Sequence, residues 1–267
     1  MADNTKILFI GDVVGRPGRL AIRHLLPALV GNLLPDIVIA NGENAAGGFG
    51  ITSDIAGELE KMQIDIITSG NHIWDKKEIY ERLDKDRRML RPLNYPPGVP
   101  GRGETVFECA SGVKVGIVNL MGRVFMDNCD CPFRIGKEAV GRLRQVTPIV
   151  FMDFHAEATS EKAAAGLFFD GSVSAVIGTH THVQTSDERI LSHGTAFITD
   201  AGMTGAQDSI IGMHKDAVIQ RFLTQMPMKF EVATKAVELQ GVFVTVDNSS
   251  GKAISIERIK ARLDKDA

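Results

Sequence analysis

Cysteine is scarce in these 267 residues: three in all, an odd and sparse set that makes a poor disulfide framework and fits a reducing compartment. Cys129-Asp130-Cys131 places two thiols close together. It has no second pair at zinc-ribbon spacing, and Pro132 follows it in a loop, so it reads as an incidental pair. Charge of one sign is also scarce. A formal net charge of −3 offers no polyanion-coating surface and no basic membrane patch, so no extended nucleic-acid surface is expected. Lys85-Asp86-Arg87-Arg88 interleaves an acid and reads as a solvated helix end. Long apolar runs are missing too: the longest are strand-length, well short of the ~20 residues a membrane span needs. Met-Ala-Asp-Asn-Thr-Lys at the start lacks the charged-then-apolar architecture of a signal peptide, and a cytoplasmic protein is the expectation. Neither an internal repeat nor a low-complexity segment breaks the chain. At 44% hydrophobic it supports a sizeable core, and one α/β domain over 1–267 is the economical organisation.

What the chain does have is a series of short apolar runs, each ending in a polar cluster. Ile7-Leu8-Phe9-Ile10 leads to Gly11-Asp12, and Ile37-Val38-Ile39-Ala40 to Asn41-Gly42-Glu43-Asn44. Ile64-Asp65-Ile66-Ile67 precedes Gly70-Asn71-His72, and Ile149-Val150-Phe151-Met152 precedes Asp153-Phe154-His155. Ala175-Val176-Ile177 leads to Gly178-Thr179-His180-Thr181-His182. Such runs read as parallel strands buried on both faces. In open α/β sheets ligands gather beyond the carboxyl ends of the strands. Carboxylates, carboxamides and imidazoles would therefore converge on one edge.

Between the runs the pattern predicts helices at 21–34 (kinked near Pro27), 54–62, 76–83, 137–146, 160–168 and 216–223. A Pro/Gly-rich stretch at 91–103 precedes strands 105–110 and 113–120, whose Ser111-Gly112 junction reads as a two-residue hairpin. Later strands are expected at 190–191, 195–198, 241–246 and 253–259, the last two antiparallel by their alternation. Two stacked sheets with outer helices accommodate this order.

His180-Thr181-His182 is the sharpest element. Imidazoles at i, i+2 just past a strand can serve two neighbouring metals. Asp12 taken alone reads equally as a helix cap. Glu43 lies at the end of a buried strand, where an unpaired charge is costly, and its two oxygens can bridge two cations. Asn44 and Asn71 are neutral oxygen donors, although Asn71 after Gly70 is also a natural turn residue. His155, just past a strand, reads as a ligand rather than a core histidine. Two divalent ions bring four positive charges; Asp12 and Glu43 remove two and a bridging hydroxide one. The remaining charge would attract a phosphate ester, and the metal pair would acidify the bridging water. His72, beside Asn71, would protonate the leaving alkoxide or contact the phosphate. The donor set supports a mixed nitrogen/oxygen, transition-metal site.

These residues, in this order, resemble the calcineurin-like metallophosphoesterases, whose pattern is Asp-x-His, Gly-Asp-x-x-Asp, Gly-Asn-His-Asp/Glu, a single His, then Gly-His-x-His. Val14 replaces the first histidine, Asn-Gly-Glu-Asn the second aspartate block, and Ile73 follows His72. Those departures resemble the bacterial YmdB-like branch, and the likeness runs end to end. It is carried by Ile-Gly-Asp-Val-Val-Gly at 10–15, Asn-Gly-Glu-Asn-Ala-Ala at 41–46 and Gly-Asn-His-x-Trp-Asp-Lys-Lys-Glu at 70–78. Asp-Phe-His-Ala-Glu-Ala-Thr-Ser-Glu-Lys at 153–162, Gly-Thr-His-Thr-His-Val-Gln-Thr at 178–185 and Thr-Asp-x-Gly-Met-Thr-Gly at 199–205 continue it. The resemblance implies a four-layer α-β-β-α sandwich and phosphodiesterase activity on cyclic nucleotides. It implies one metal on Asp12, Glu43, Asn44 and His182, and a second on Glu43, Asn71, His155 and His180, with His72 as proton donor. Iron is the metal it implies, with manganese as the alternative. It allows a homo-oligomer, with no interface identified in the chain.

Rival readings share the centre. A phosphomonoesterase or nuclease would use the same residues, with substrate scope set by loops such as 47–50, where Phe49 could stack on a base, and 122–135, where Arg123 could meet phosphate. Loop packing for Phe49 and a surface role for Arg123 are the plainer readings. An amidohydrolase carries its His-x-His on the first strand, not late in the chain. A metal-stabilised regulatory protein with vestigial turnover is the rival from another class.

Overall fold

The computed structural model describes residues 3–263. Met1 and Ala2 of the amino-terminal segment read above, and the last four residues, lie outside the described residues. The first half runs β1 (Asn4–Ile10), β2 (Asp12–Val13), α1 (Gly15–Leu33), β3 (Ile37–Asn41), α2 (Ser53–Lys61) and β4 (Ile66–Thr68). Two single-turn 3-10 helices, Asn71–Trp74 and Lys77–Ile79, lead into α3 (Tyr80–Lys85). The second half contains β5 (Glu104–Glu108), β6 (Lys114–Met121), α4 (Pro132–Leu143), β7 (Val150–His155), α5 (Thr159–Phe169) and β8 (Ala175–Thr179). It closes with β9 (Arg189–Ile190), β10 (Ala196–Ile198), β11 (Met203–Ala206), α6 (Lys215–Thr224), β12 (Val237–Asp247) and β13 (Ala253–Arg262).

Two mixed sheets result. The seven-stranded one runs β2-β11-β12-β1-β3-β4 with β13 on the other edge of β12; the six-stranded one runs β5-β6-β7-β8-β10-β9. β1 pairs parallel with β3 and antiparallel with β12, from Asn4↔Asp247 to Ile10↔Gly241. Period-2 alternation divides each buried strand between two cores. Ile7 and Phe9 face the opposite sheet while Leu8 and Ile10 pack with Ala21, Ile22 and Leu26 of α1. Across the gap Ile117 of β6, Phe151 and Ile177 complete the central layer, and Val118, Leu120 and Met152 turn outward to α4 and α5. Phe9 and Phe151 meet with ring centroids 5.3 Å apart. Each such side chain contributes about 1.5–3 kcal/mol when buried. The expected four-layer α-β-β-α sandwich is the observed one.

Several boundaries differ from expectation. α1 begins at Gly15, six residues early, because Pro17 falls in the first turn, where its missing N–H costs nothing. α4 likewise starts at Pro132, where the sequence suggests a loop. The hairpin joins β5 to β6 through 109–113, closed by Cys109 N–H donating to Val113 O at 2.8 Å, rather than through two residues. The two-residue β2 and the Met-Thr-Gly-Ala strand β11 carry no periodic signal. Their parallel pairing, Met203↔Asp12 and Thr204↔Val13, is a purely tertiary event. Among the described residues no helix is long and apolar enough to cross a membrane.

Candidate metal centre

At the carboxyl ends of the strands the inward-facing positions change from apolar to polar. Following Ile39 comes Asn41; following Ile66, Thr68; following Phe151, Asp153 and His155; following Ile177, Thr179. All are buried. Asp153 ties them together across both sheets. Its Oδ2 accepts from Asn41 Nδ2 at 3.1 Å and from the Thr68 hydroxyl, and its Oδ1 accepts from Thr179 Oγ1 at 2.7 Å.

The structure brings the seven sequence-predicted donors to this edge. Asp12 sits on β2, Glu43 and Asn44 in the turn after β3, Asn71 in the 3-10 turn after β4, His155 at the end of β7, and His180 and His182 just past β8. His155 Nε2 lies 3.1 Å from each of Glu43 Oε1, Asn71 Oδ1 and His180 Nδ1. Glu43, His155 and His180 form a group that could hold a metal ion, their donor atoms all within 4.8 Å of one another. His182 Nε2 stands 3.9 Å from Asp12 Oδ1, which is as far from His155 Nδ1, and 3.2 Å from Asn44 Nδ2. The Asn44 amide nitrogen is 3.0 Å from Glu43 Oε1. Asp12 Oδ1 and Asn44 Oδ1 are buried without a hydrogen-bond partner. An orphaned buried oxygen costs on the order of 1–3 kcal/mol, more if charged, and a cation relieves that cost. The donor set thus fits a metal.

Gly70 makes room for this convergence. A Cβ there would fall 2.1 Å from His155 Nε2 and 2.4 Å from Glu43 Oε2, so no other residue fits without moving the centre.

Each imidazole has one nitrogen occupied from outside, which leaves the other facing inward, where it can ligate once deprotonated. His155 Nδ1 donates to Thr179 Oγ1 at 2.9 Å, since that hydroxyl's proton is committed to Asp153. His182 Nδ1 donates to the Ile211 carbonyl at 2.9 Å, and His180 Nε2 lies 3.1 Å from the Glu157 carboxylate. The field strongly favours positive charge. Burial raises the Glu43 carboxyl, yet His155, His72 and His180 outweigh it and hold it at about 2. Burial likewise opposes charge on His155, but Glu43, Asp12 and Asp153 carry it up to about 9. Burial and the neighbouring His155 keep His180 neutral, at about 3.

His180 and His182 both adopt positive φ, 98° and 62°, a conformation that non-glycine residues hold only under constraint. The constraint is Thr181 between them. Its N–H and hydroxyl both donate to Asp200 Oδ2, at 3.0 and 2.6 Å, and Asp200 in turn accepts from Lys162 Nζ at 2.9 Å. Lys162, on α5, is 1% exposed. Lys162→Met would leave Asp200 buried without its cation. Denaturant unfolding should then show a loss of about 3–5 kcal/mol. Metal titration should show affinity weakened about 10–100-fold, the range for outer-shell partners. Unchanged affinity would mean that the turn holds its shape without this pair.

Beside the centre opens a cavity of about 350 Å³ lined by Glu43, Asn44, His72, His180 and His182. His72 Nδ1 pairs with Asp75 Oδ2 at 2.9 Å, and its backbone N–H donates to Glu43 Oε2 at 3.2 Å. Phe49 lines the cavity and meets the His72 ring edge-on at 5.1 Å. Arg123 is not among the lining residues, and its backbone N–H donates to Glu161 on α5 at 3.0 Å. Sequence reasoning assigned no role to Asp75, Asp153, Glu157, Lys162, Thr179 or Asp200. Each lies within the strings that carry the family resemblance, which was the available signal.

Comparison with known proteins agrees with this placement. The family model described as YmdB-like protein matches residues 8–259. A 2′,3′-cyclic-nucleotide 2′-phosphodiesterase of Bacillus subtilis (strain 168) is 49% identical over 254 residues, 95% of this chain and 96% of that one. A crystal structure of a hypothetical protein from Thermus thermophilus has a TM-score of 0.89 at 40% identity, covering 97% of this chain and 100% of its own. One described as a novel phosphatase from Mycoplasma pneumoniae has a TM-score of 0.92 at 36% identity, covering 99% and 95%. A match that runs from the first strand into the last makes this chain a member of the YmdB-like family, within the calcineurin-like metallophosphoesterase superfamily.

Proposed function

We propose that the chain is a two-metal phosphodiesterase of cyclic nucleotides, with 2′,3′-cyclic monophosphates ahead of 3′,5′-cyclic AMP. Asp12, Asn44 and His182 would hold one ion, Asn71, His155 and His180 the other, and Glu43 would bridge them. The observation that carries the reading is the pair of orphaned buried oxygens: Asp12 Oδ1, 3.9 Å from both His182 Nε2 and His155 Nδ1, and Asn44 Oδ1, on the amide whose nitrogen lies 3.2 Å from His182 Nε2. They call for a second cation beyond the one the His155 group could hold. When bound, iron or manganese would supply Lewis acidity and a water acidic enough to attack at neutral pH. The remaining chemistry belongs to the chain. His72, at the cavity and oriented by Asp75, gives its proton to the departing ribose oxygen. The B. subtilis relative's activity supports the substrate class. A five-membered cyclic ester, strained before it binds, demands least of such a site.

Metal-loaded protein should hydrolyse 2′,3′-cyclic nucleotides and bis-p-nitrophenyl phosphate at least ~10-fold faster than p-nitrophenyl phosphate, about 1.4 kcal/mol in barrier. EDTA should abolish turnover, and Mn²⁺ or Fe²⁺ restore it. Preference for the monoester across metals and pH would replace this reading with a phosphomonoesterase, which the description of the M. pneumoniae structure as a phosphatase favours.

A further inference from the structure

The lining of the cavity over the candidate centre is of two kinds. One is polar, built from Glu43, Asn44, His72, His180 and His182. The other is apolar: Phe49, Ile211, Met213, Val218 and Phe230. It comes from two segments far apart in sequence, the loop at 47–50 and the stretch 210–230 that includes α6. They are pressed together. Gly48, at φ +94°, runs so close to Met213 that a Cβ would fall 2.6 Å from its terminal methyl. The Phe230 ring is held from one side by the Arg221 guanidinium, 5.3 Å from its centroid. Inorganic phosphate or a sugar phosphate presents only polar surface and gains nothing from such a wall. A flat, largely apolar group attached near the phosphate does.

The polar side chains that line the cavity outside the donor set and His72 are Glu157 and Thr181. Glu157 holds His180 Nε2 at 3.1 Å, and Thr181 is bonded to Asp200 and Lys162. The second Glu157 oxygen is an acceptor only, which a ring or exocyclic N–H of any of the four bases can meet, so these side chains present no donor–acceptor pattern that separates the bases. The geometry therefore points to a nucleobase subsite that binds by stacking and burial and tolerates all four bases. This rests on the cyclic-nucleotide reading above and adds to it where the base sits and how little it is discriminated.

Metal-loaded protein should be assayed on the 2′,3′-cyclic monophosphates of adenosine, guanosine, cytidine and uridine, and on glycerol 1,2-cyclic phosphate, which carries the strained diester without a base. The four nucleotides should agree in kcat/KM within about 10-fold, and each should exceed the glycerol ester by about 10–100-fold, the range for one stacked base. Phe230→Ala should narrow that nucleotide-to-glycerol ratio about 10-fold, through KM rather than kcat. Parity between nucleotides and glycerol ester overturns the subsite, and so does a spread of 100-fold or more among the bases. Calorimetric binding of 2′-AMP against inorganic phosphate keeps the two readings separable. Protein that turns over none of the five diesters but still binds 2′-AMP about 10-fold more tightly than phosphate, and loses that margin in Phe230→Ala, retains the subsite while the phosphodiesterase reading fails. Equal binding of 2′-AMP and phosphate overturns the subsite.

Discussion

Glu43→Ala should deplete both proposed metal positions at once and lower diester hydrolysis by at least ~10³-fold, about 4 kcal/mol of transition-state stabilisation. Glu43 is fully buried and stands between the two groups of donors, 3.1 Å from His155 Nε2 through Oε1 and 3.0 Å from the Asn44 amide through the same oxygen. Elemental analysis of the variant should find well under one ion per chain, against the two proposed for the parent. Asn44→Ala removes a donor from one side only and should weaken one ion and spare the other. Glu43→Gln keeps the shape and removes the charge, which separates loss of the ligand from collapse of the turn. In the metal-free protein Glu43 also carries His155 upward to about 9, so without Glu43 that imidazole should titrate at lower pH, an outcome NMR can follow. A variant lacking Glu43 that still holds two ions would refute the bridging role.

His72→Ala should retain the metals and lose ~10²–10⁴-fold in rate, the range for general acid–base catalysis. The structure separates His72 from the donor group: its ring is partly exposed at the cavity, its Nδ1 is committed to Asp75 and its main chain, not its side chain, meets Glu43. Nε2 is the atom left for proton transfer. The deficit should shrink when the leaving group is p-nitrophenolate, which departs with little protonation, and remain large for a ribose alkoxide. Asp75→Asn should reproduce a fraction of the loss through a misoriented ring. An equal deficit on good and poor leaving groups would turn His72 into a positioning contact for the phosphate.

Much of this was legible in the chain because the fold is built from strands buried on both faces. Such strands must be apolar along their whole length, so the residues where polarity resumes mark their carboxyl ends. Glu43, Asn71, His155 and the His180–His182 pair were found that way. Asp12 was found too, but its element was misread: it lies on a strand of two residues, too short to show a period, whose partner Met203–Ala206 has no apolar run. The helix starts at Gly15 and Pro132 were missed because proline reads as a breaker until its place in a first turn is known.

By itself, then, the sequence determined the layered α/β class, the strand ends and which residues to propose as donors, since each follows from local pattern: period, punctuation and residue type. Only the tertiary structure decided which outer partners act on those donors. The run from Asp153 through Thr179 to His155 joins neighbouring strands, Asn41 and Thr68 reach Asp153 across the sheet interface, and Lys162 reaches Asp200 from a helix. It also decided that Phe49 and Phe230 line one cavity and that Arg123 is not among its lining residues. Those contacts join residues remote in the chain, and no local periodicity encodes the distance between them.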